Sequence, residues 1–150
     1  MNKFVIGLLI VVFAYYAVVY LIPALRHKIR GKNAAFISPE ALEKKIKSDD
    51  LLVIDIRDKT EFYNLYGHID RAINLPCDEL KLRLAETADR LAGFKETPVV
   101  VVGLRDEKAV YDAYDALTQK GFSDVAILDK GLAGWLRAGL PTVERNVKKV

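Results

Sequence analysis

Few side chains in this sequence are able to do covalent or metal chemistry. Cys77 is the only cysteine, and a cysteine thiolate is a nucleophile that can accept sulfur. One cysteine forms no intramolecular disulfide and completes no cysteine-based metal site, and the two histidines, His27 and His68, lie far apart in the chain. The sequence therefore indicates no metal and no cofactor, and it leaves Cys77 as the one candidate nucleophile.

Four other side chains of chemical interest are interpreted as structural. Asp55 and Arg57 end an apolar run, where they can pair with loop amides or with each other; a catalytic role is the less favoured alternative. His68 follows a glycine and is expected to hydrogen-bond to backbone rather than to a metal. Trp135 is expected in the core with its indole N–H paired locally. The glycines nearby are expected at turns.

Strands alternate with helices along residues 36–150. Apolar and β-branched runs predict strands at 51–56, 72–75, 98–102 and 125–128. Helices are predicted from Ser38-Pro39-Glu40 onward, from Asp78 onward, at 107–120 and at 131–138. This alternation predicts a parallel sheet covered on both faces, with any ligand beyond the carboxyl ends of the strands. The loop after Val102 is the expected place for chemistry.

The N-terminal residues predict a membrane anchor. Residues 4–22 read FVIGLLIVVFAYYAVVYLI and contain no charged side chain. A helix over these positions is roughly 28 Å long, close to the thickness of the hydrocarbon core. A signal peptide would have a shorter apolar run and a small-residue cleavage site, and a buried core helix would have a polar face. A retained transmembrane helix over residues 1–23 is therefore favoured over both alternatives.

Charge is divided unevenly along the chain. The net charge is +3 and the pI about 8.9, but residues 1–35 contain five basic and no acidic residues, so residues 36–150 carry −2. A mildly acidic globular part argues against nucleic-acid binding. Residues 24–35 are interpreted as a short tether whose basic side chains can bind anionic lipid head groups, namely Arg26, Lys28, Arg30 and Lys32. Positive flanks stay in the cytoplasm, so residues 36–150 are expected to be cytoplasmic, as in a single-pass protein of a bacterial inner membrane.

Three stretches together make residues 36–150 resemble the rhodanese-like family. The first is VIDIR at 53–57 with Glu61, the second is GHI at 67–69 with Ala72, Asn74, Leu75 and Pro76, and the third is Leu128, Gly131, Gly134, Trp135 and GLP at 139–141. The resemblance implies an α/β domain with a five-stranded parallel sheet flanked by helices. It also implies a sulfurtransferase active site in the loop that follows the central strand.

The loop itself departs from the family pattern. Active members of the family open this loop with a cysteine, in the pattern C-x-x-G-x-R-S. Here it reads GLRDEKA, that is Gly103, Leu104, Arg105, Asp106, Glu107, Lys108 and Ala109. Glycine carries no thiol, so neither the persulfide of a rhodanese nor the phosphocysteine of a related phosphatase can form there. The two carboxylates would repel an anionic sulfur donor, and Asp106 is expected to cap the helix that begins at Glu107.

Two functions remain for this sequence. The favoured one is a non-catalytic module, held at the membrane, that serves as a protein-binding or accessory subunit of an integral membrane complex and takes no small-molecule substrate. The alternative is a sulfurtransferase or persulfide carrier that uses Cys77. The sequence predicts no basic group or helix N-terminus that would activate this thiol, so a buried structural role is favoured for it.

Overall fold

A computed structural model describes residues 2–18, 29, 33–48, 50–87, 89–90 and 92–143, in two compact units, Met1–Asn33 and Ala34–Val150. The described part of the first unit contains helix α1 (Lys3–Tyr16), none of whose side chains is buried. Among the described residues no helix has the length and hydropathy that crossing a bilayer requires. The predicted span continues through residues 19–22, and these lie outside the described residues, as do the four basic side chains of the tether.

The second unit is built on a five-stranded parallel sheet. Its strands are β1 (Phe36–Ile37), β2 (Leu52–Asp55), β3 (Ile73–Asn74), β4 (Val99–Val102) and β5 (Val125–Leu128), in the order β1-β5-β4-β2-β3. Four strands confirm the runs predicted from the sequence, and the total of five confirms the resemblance. The fifth, β1, has two residues, which is too short for a periodic pattern to reveal.

Helices cover both faces of the sheet. They are α2 (Pro39–Ser48), α3 (Lys59–Phe62), α4 (Cys77–Glu86), α5 (Lys108–Gln119) and α6 (Gly131–Arg137), with a 3₁₀ turn at Ala92–Phe94. The Oγ of Ser38 accepts a hydrogen bond from the N–H of Ala41 at 3.2 Å, which confirms the predicted N-cap of α2. Helix α3 was not predicted, because four residues carry no helical periodicity.

Strand β4 joins the two halves of the core. Val99 and Val101 pack on the face covered by α4 and α5, while Val100 and Val102 pack on the face covered by α2 and α6. All four are buried, and each such side chain contributes about 1.5–3 kcal/mol relative to an exposed one. Burial on both faces fixes this strand at the centre, so the loop that follows it has a defined position.

Candidate functional site

The candidate site is the loop that follows β4. The chain leaves β2 toward β3 on one side and β4 toward β5 on the other, so a crevice is expected between the carboxyl ends of β2 and β4. The carbonyl oxygens of Gly103 and Leu104 accept hydrogen bonds from the N–H groups of Leu132 and Ala133, at 2.8 and 3.0 Å. These two hydrogen bonds attach the loop to the start of α6.

Gly131 permits this close approach. It has φ +57°, and a Cβ placed on it would lie 2.6 Å from the carbonyl oxygen of Gly103. Any other residue at position 131 would be strained in its backbone and would push the β4 loop away. Gly131 is one of the residues that carry the family resemblance, and here it allows the turn after β5 to approach the loop after β4.

The side chain of Glu107 folds back toward position 103, where the resemblance places a cysteine. The N–H of Leu104 donates to Oε1 of Glu107 at 2.9 Å. A Cβ added to Gly103 would lie 2.8 Å from the same oxygen and 2.4 Å from Cγ2 of Val110. A side chain at position 103 therefore has to displace both Glu107 and Val110.

The expected role of Asp106 is wrong. Helix α5 begins at Lys108 rather than at Glu107, and Glu107, as its N-cap residue, makes no side-chain capping bond. Because the helix begins one residue later than predicted, Asp106 lies outside the capping position. Its Oδ1 instead accepts a hydrogen bond from the N–H of Lys130 at 3.2 Å, which ties the β4 loop to the turn after β5.

Of the two basic side chains of the loop, Lys108 is paired along α5 and Arg105 is exposed. Lys108, at the position of the family's arginine, donates through Nζ to Oδ2 of Asp112, one turn along α5. Arg105 is exposed, and Leu104 is 37% exposed. The described loop therefore presents two carboxylates, one paired lysine, an exposed arginine and a partly exposed leucine.

Cys77 is the first residue of α4, and its thiol faces Ala109, where the 103–109 loop ends and α5 has begun. Its Sγ is 3.5 Å from the carbonyl oxygen of Ala109, so the thiol faces an acceptor and not the N–H groups of the loop. The expectation that no helix N-terminus or basic group lies near it is wrong, because Cys77 is the first residue of α4 and Lys81 is close by. Burial nevertheless dominates and raises the pKa of the thiol above its ordinary value, so the thiolate fraction at neutral pH is small.

Asp55 and Arg57 form a buried ion pair, which confirms their structural interpretation. The guanidinium donates to both carboxylate oxygens, with Nη2 2.7 Å from Oδ2 and Nε 2.9 Å from Oδ1. The remaining donors go to backbone, with Nη1 bonded to the carbonyl of Glu61 at 3.2 Å and Nη2 to that of Gly67 at 3.0 Å. The arginine therefore closes the segment between those two residues, a role that the sequence did not reveal.

His68 and Trp135 are also structural, as predicted. Nδ1 of His68 lies 3.1 Å from the carbonyl oxygen of Phe62, and the two rings stack with centroids 3.7 Å apart. The indole N–H of Trp135, a core side chain, donates to the carbonyl of Pro141 at 2.9 Å. Among the residues that the structure describes, no cluster of three His, Cys, Asp or Glu side chains is placed to hold a metal ion.

The function of Glu107 is the main feature that the sequence analysis missed. One feature of the sequence could have indicated this contact. Gly103 is followed four residues later by Glu107, whose side chain is long enough to fold back over the glycine. Distance in sequence alone does not say in which direction that side chain turns. The three-dimensional arrangement brings the Glu107 carboxylate next to position 103.

The fold and the loop position define a class of protein, and comparison with known proteins agrees. Residues 38–138 match the family model described as the rhodanese-like domain, and the chain belongs to that family. A sulfurtransferase of Allochromatium vinosum is 32% identical over 108 residues, which cover 71% of this chain and 92% of that protein.

Two further proteins are similar to this chain over the same domain. The uncharacterised protein YibN of Escherichia coli is 37% identical over 98 residues, 65% of this chain and 64% of that protein, so the match spans less than two thirds of its length. The crystal structure of a thiosulfate sulfurtransferase from Pseudomonas aeruginosa, 23% identical, superposes with a TM-score of 0.66 over 82% of this chain and 22% of that chain. The last likeness is one of fold.

Proposed function

We propose that this chain is a catalytically inactive rhodanese-like module, held at the cytoplasmic face of a membrane, that serves as a protein-binding or accessory subunit of an integral membrane complex. The observation that carries the proposal is the head of the β4 loop. Position 103 has no thiol, and the nearest carboxylate oxygen lies 2.8 Å from the place of its Cβ. Sulfur transfer at this position lacks both the nucleophile and the space for it.

The electrostatics of the loop support the same conclusion. A rhodanese persulfide is an anion that backbone N–H groups stabilise. In this loop the Leu104 N–H is bonded to the Glu107 carboxylate, and Asp106 brings a second carboxylate to the same turn. An anionic donor such as thiosulfate would meet like charge and would have to displace Glu107 from that amide.

The membrane part of the proposal rests on the N-terminal sequence. Residues 4–22 are uncharged and largely apolar, and four basic residues follow within the tether. This pattern is typical of a single-pass anchor with its positive flank in the cytoplasm. A domain without a nucleophile that is kept at a membrane is suited to binding or positioning another membrane protein.

A second candidate function is a sulfurtransferase or persulfide carrier that uses Cys77. It is favoured by the place of Cys77 at the start of α4 and by the positive charge of Lys81 and Lys108, each of which lowers the pKa of the thiol. It is opposed by burial, which is the larger influence and raises that pKa, and by the carbonyl oxygen that faces Sγ.

One experiment separates the two functions. The full chain, purified in mild detergent, is incubated with thiosulfate and cyanide, and both thiocyanate release and protein persulfide are measured beside the Cys77→Ser variant. The proposal expects both signals at background in both proteins. Turnover or persulfide that disappears in Cys77→Ser would establish the sulfur-transfer function and refute the inactive module.

A further inference from the structure

Residues 63–66 form an uncharged loop with an unusually apolar surface. Tyr63, Leu65 and Tyr66 are 46%, 88% and 63% exposed, whereas 29% of the chain's residues are charged. Single exposed apolar residues are ordinary, but here three lie within four positions, and their exposed surfaces sum to roughly 350 Å². The stability of the domain does not account for this exposure, because Leu65 contributes almost nothing to the core.

Hydrogen bonds from Arg57 and from within the loop fix the conformation of residues 63–66. The buried guanidinium of Arg57 bonds to the carbonyls of Glu61 and Gly67, one at each end of the loop. Within the loop, Oδ1 of Asn64 accepts the N–H of Tyr66 at 2.9 Å, and the Asn64 carbonyl accepts the N–H of Gly67 at 3.0 Å. A loop fixed in this way loses little conformational entropy when it binds, which favours a recognition role.

Arg57 joins the loop to the carboxyl end of β2, the strand next to the one that the altered 103–109 loop follows. Arg57 follows the carboxyl end of β2, and Gly103 follows the carboxyl end of the neighbouring strand β4. Leu104, at 37% exposure, adds an apolar side chain to this edge.

We propose that residues 63–66 are the docking loop through which the domain binds a partner protein that offers an apolar cleft. Leu65 is the side chain that enters the cleft, and Tyr66 lies at its rim with its phenol hydroxyl available to a hydrogen-bond acceptor. Tyrosine is among the residues that dominate binding energy at such interfaces. This inference rests on the proposed protein-binding function and assigns residues to it.

A partner protein suits this loop better than a second copy or a lipid surface. Two copies that paired through this loop would set Leu65 against Leu65 and one acidic flank against another, with no cleft for either side chain to enter. The exposed charged residues that flank the loop in sequence are Asp58, Lys59 and Glu61 before it and Asp70 and Arg71 after it, which sum to −1, so an anionic lipid surface is not attracted. An uncharged apolar knob with a slightly acidic margin fits an apolar cleft whose margin is neutral or basic.

Site-specific photo-crosslinking tests the docking loop in the full chain. The photoreactive residue p-benzoylphenylalanine replaces Leu65 in one protein and Leu82 in another, in membranes of the native host. Leu82 is 58% exposed on α4 and is the matched control. The expected result is a discrete protein adduct from position 65 that is absent from position 82.

The crosslinked protein is then identified by mass spectrometry and purified, and its affinity for the full chain is measured. Leu65→Ser is expected to weaken binding by about tenfold or more, and Leu82→Ser by less than about twofold. Both side chains are exposed, so unchanged urea unfolding is expected for both variants. Equal weakening by the two variants, or none by Leu65→Ser, would overturn the inference.

The remaining outcomes separate this inference from the proposed function. A lipid adduct, an adduct to a second copy, or no adduct at position 65 overturns the docking loop. If a crosslinker at Leu104 captures a partner while position 65 does not, the binding function stands and the docking loop is wrong. If neither position gives a protein adduct, both proposals fail together.

Discussion

At position 103 a side chain meets two neighbours at once. Cγ2 of Val110 is 2.4 Å and Oε1 of Glu107 is 2.8 Å from the place of a Cβ. Glu107 is long and exposed, so it can turn away if it gives up the Leu104 N–H, but Val110 is buried and stiff at χ1. The packing of α5 against position 103 therefore leaves no room for a cysteine side chain unless Val110 moves.

Restoring the cysteine alone is expected to restore little activity. Gly103→Cys displaces Val110 and Glu107, which should cost about 1–3 kcal/mol of the free energy of unfolding. The new thiol stays beside Asp106 and Glu107, whose negative charges disfavour the thiolate and an anionic donor. The thiosulfate:cyanide activity of the full chain should remain at background, and its urea midpoint should fall.

Gly93 offers the matched control for this change. Nothing lies within 4 Å of a Cβ placed there, so Gly93→Cys adds a cysteine without overlap. It should leave the urea midpoint nearly unchanged. Robust turnover by Gly103→Cys, or a stability no lower than that of Gly93→Cys, would contradict the packing account of the loop.

Cys77 is expected to react slowly in the native protein. Burial raises the pKa of its thiol, so the thiolate fraction is small at neutral pH and grows as the pH rises past the ordinary cysteine range. Iodoacetamide labelling of the native full chain should be slower than labelling in urea, and its rate should increase steeply with pH. Labelling at neutral pH that matches the unfolded rate would show an activated thiol instead. Cys77→Ser supplies the blank, since no other cysteine is present.

Residue type predicted some side-chain roles in this site and not others. The pairing of Asp55 with Arg57 and the local bond of the Trp135 indole follow from the cost of burying an unpaired polar group, which holds in any fold. The roles of Asp106 and Glu107 depend on where α5 begins. A shift of one residue at a helix start exchanges a capping side chain for one that bonds elsewhere, and helix ends are the least predictable part of a helix.

At the scale of the elements, the buried strands were predictable and the short ones were not. Four consecutive valines indicate a strand buried on both faces, and β4 occupies that place. β1 and α3 are set by their neighbours rather than by their own pattern. β1 is bonded to β5 through Phe36 and Ile37, and α3 leads into the loop that Arg57 closes.

Among these elements, the Asp55–Arg57 pair should be the one whose loss lowers the stability of the domain most. Arg57→Leu leaves the Asp55 carboxylate buried and unpaired and frees the ends of the 63–66 loop, so we expect a loss of about 3–5 kcal/mol in the free energy of unfolding. Arg83→Ala breaks the exposed pair with Glu79 and should cost less than about 1 kcal/mol. Urea unfolding of the full chain measures both.

The double variant Asp55→Leu, Arg57→Leu completes this comparison. Since it leaves no unpaired charge behind, it should be more stable than Arg57→Leu alone. A loss for Arg57→Leu no larger than that for Arg83→Ala would show that the buried pair does not support the loop.

At the scale of the whole molecule, the chain consists of a basic N-terminal part, residues 1–35, followed by an acidic domain, residues 36–150. The acidic domain of residues 36–150 follows an N-terminal part whose charged side chains are all basic. Basic residues near a span determine orientation, whereas charges within a folded domain contribute little. The two parts therefore have separate roles in the proposal, with the first fixing the chain to a membrane and the second presenting the binding edge.

This division predicts the orientation of the full chain. The protein should fractionate with membranes and be released by detergent but not by high salt, and protease should digest the domain in inverted vesicles but not in right-side-out ones. Neutralising Arg26, Lys28, Arg30 and Lys32 to Gln should expose a measurable fraction of the domain on the other side, because the positive flank is lost. The same change at Lys44, Lys45 and Lys47 of α2 should leave the orientation unchanged. A chain recovered in the supernatant without detergent, or a domain protected in inverted vesicles, would contradict the anchor and its orientation.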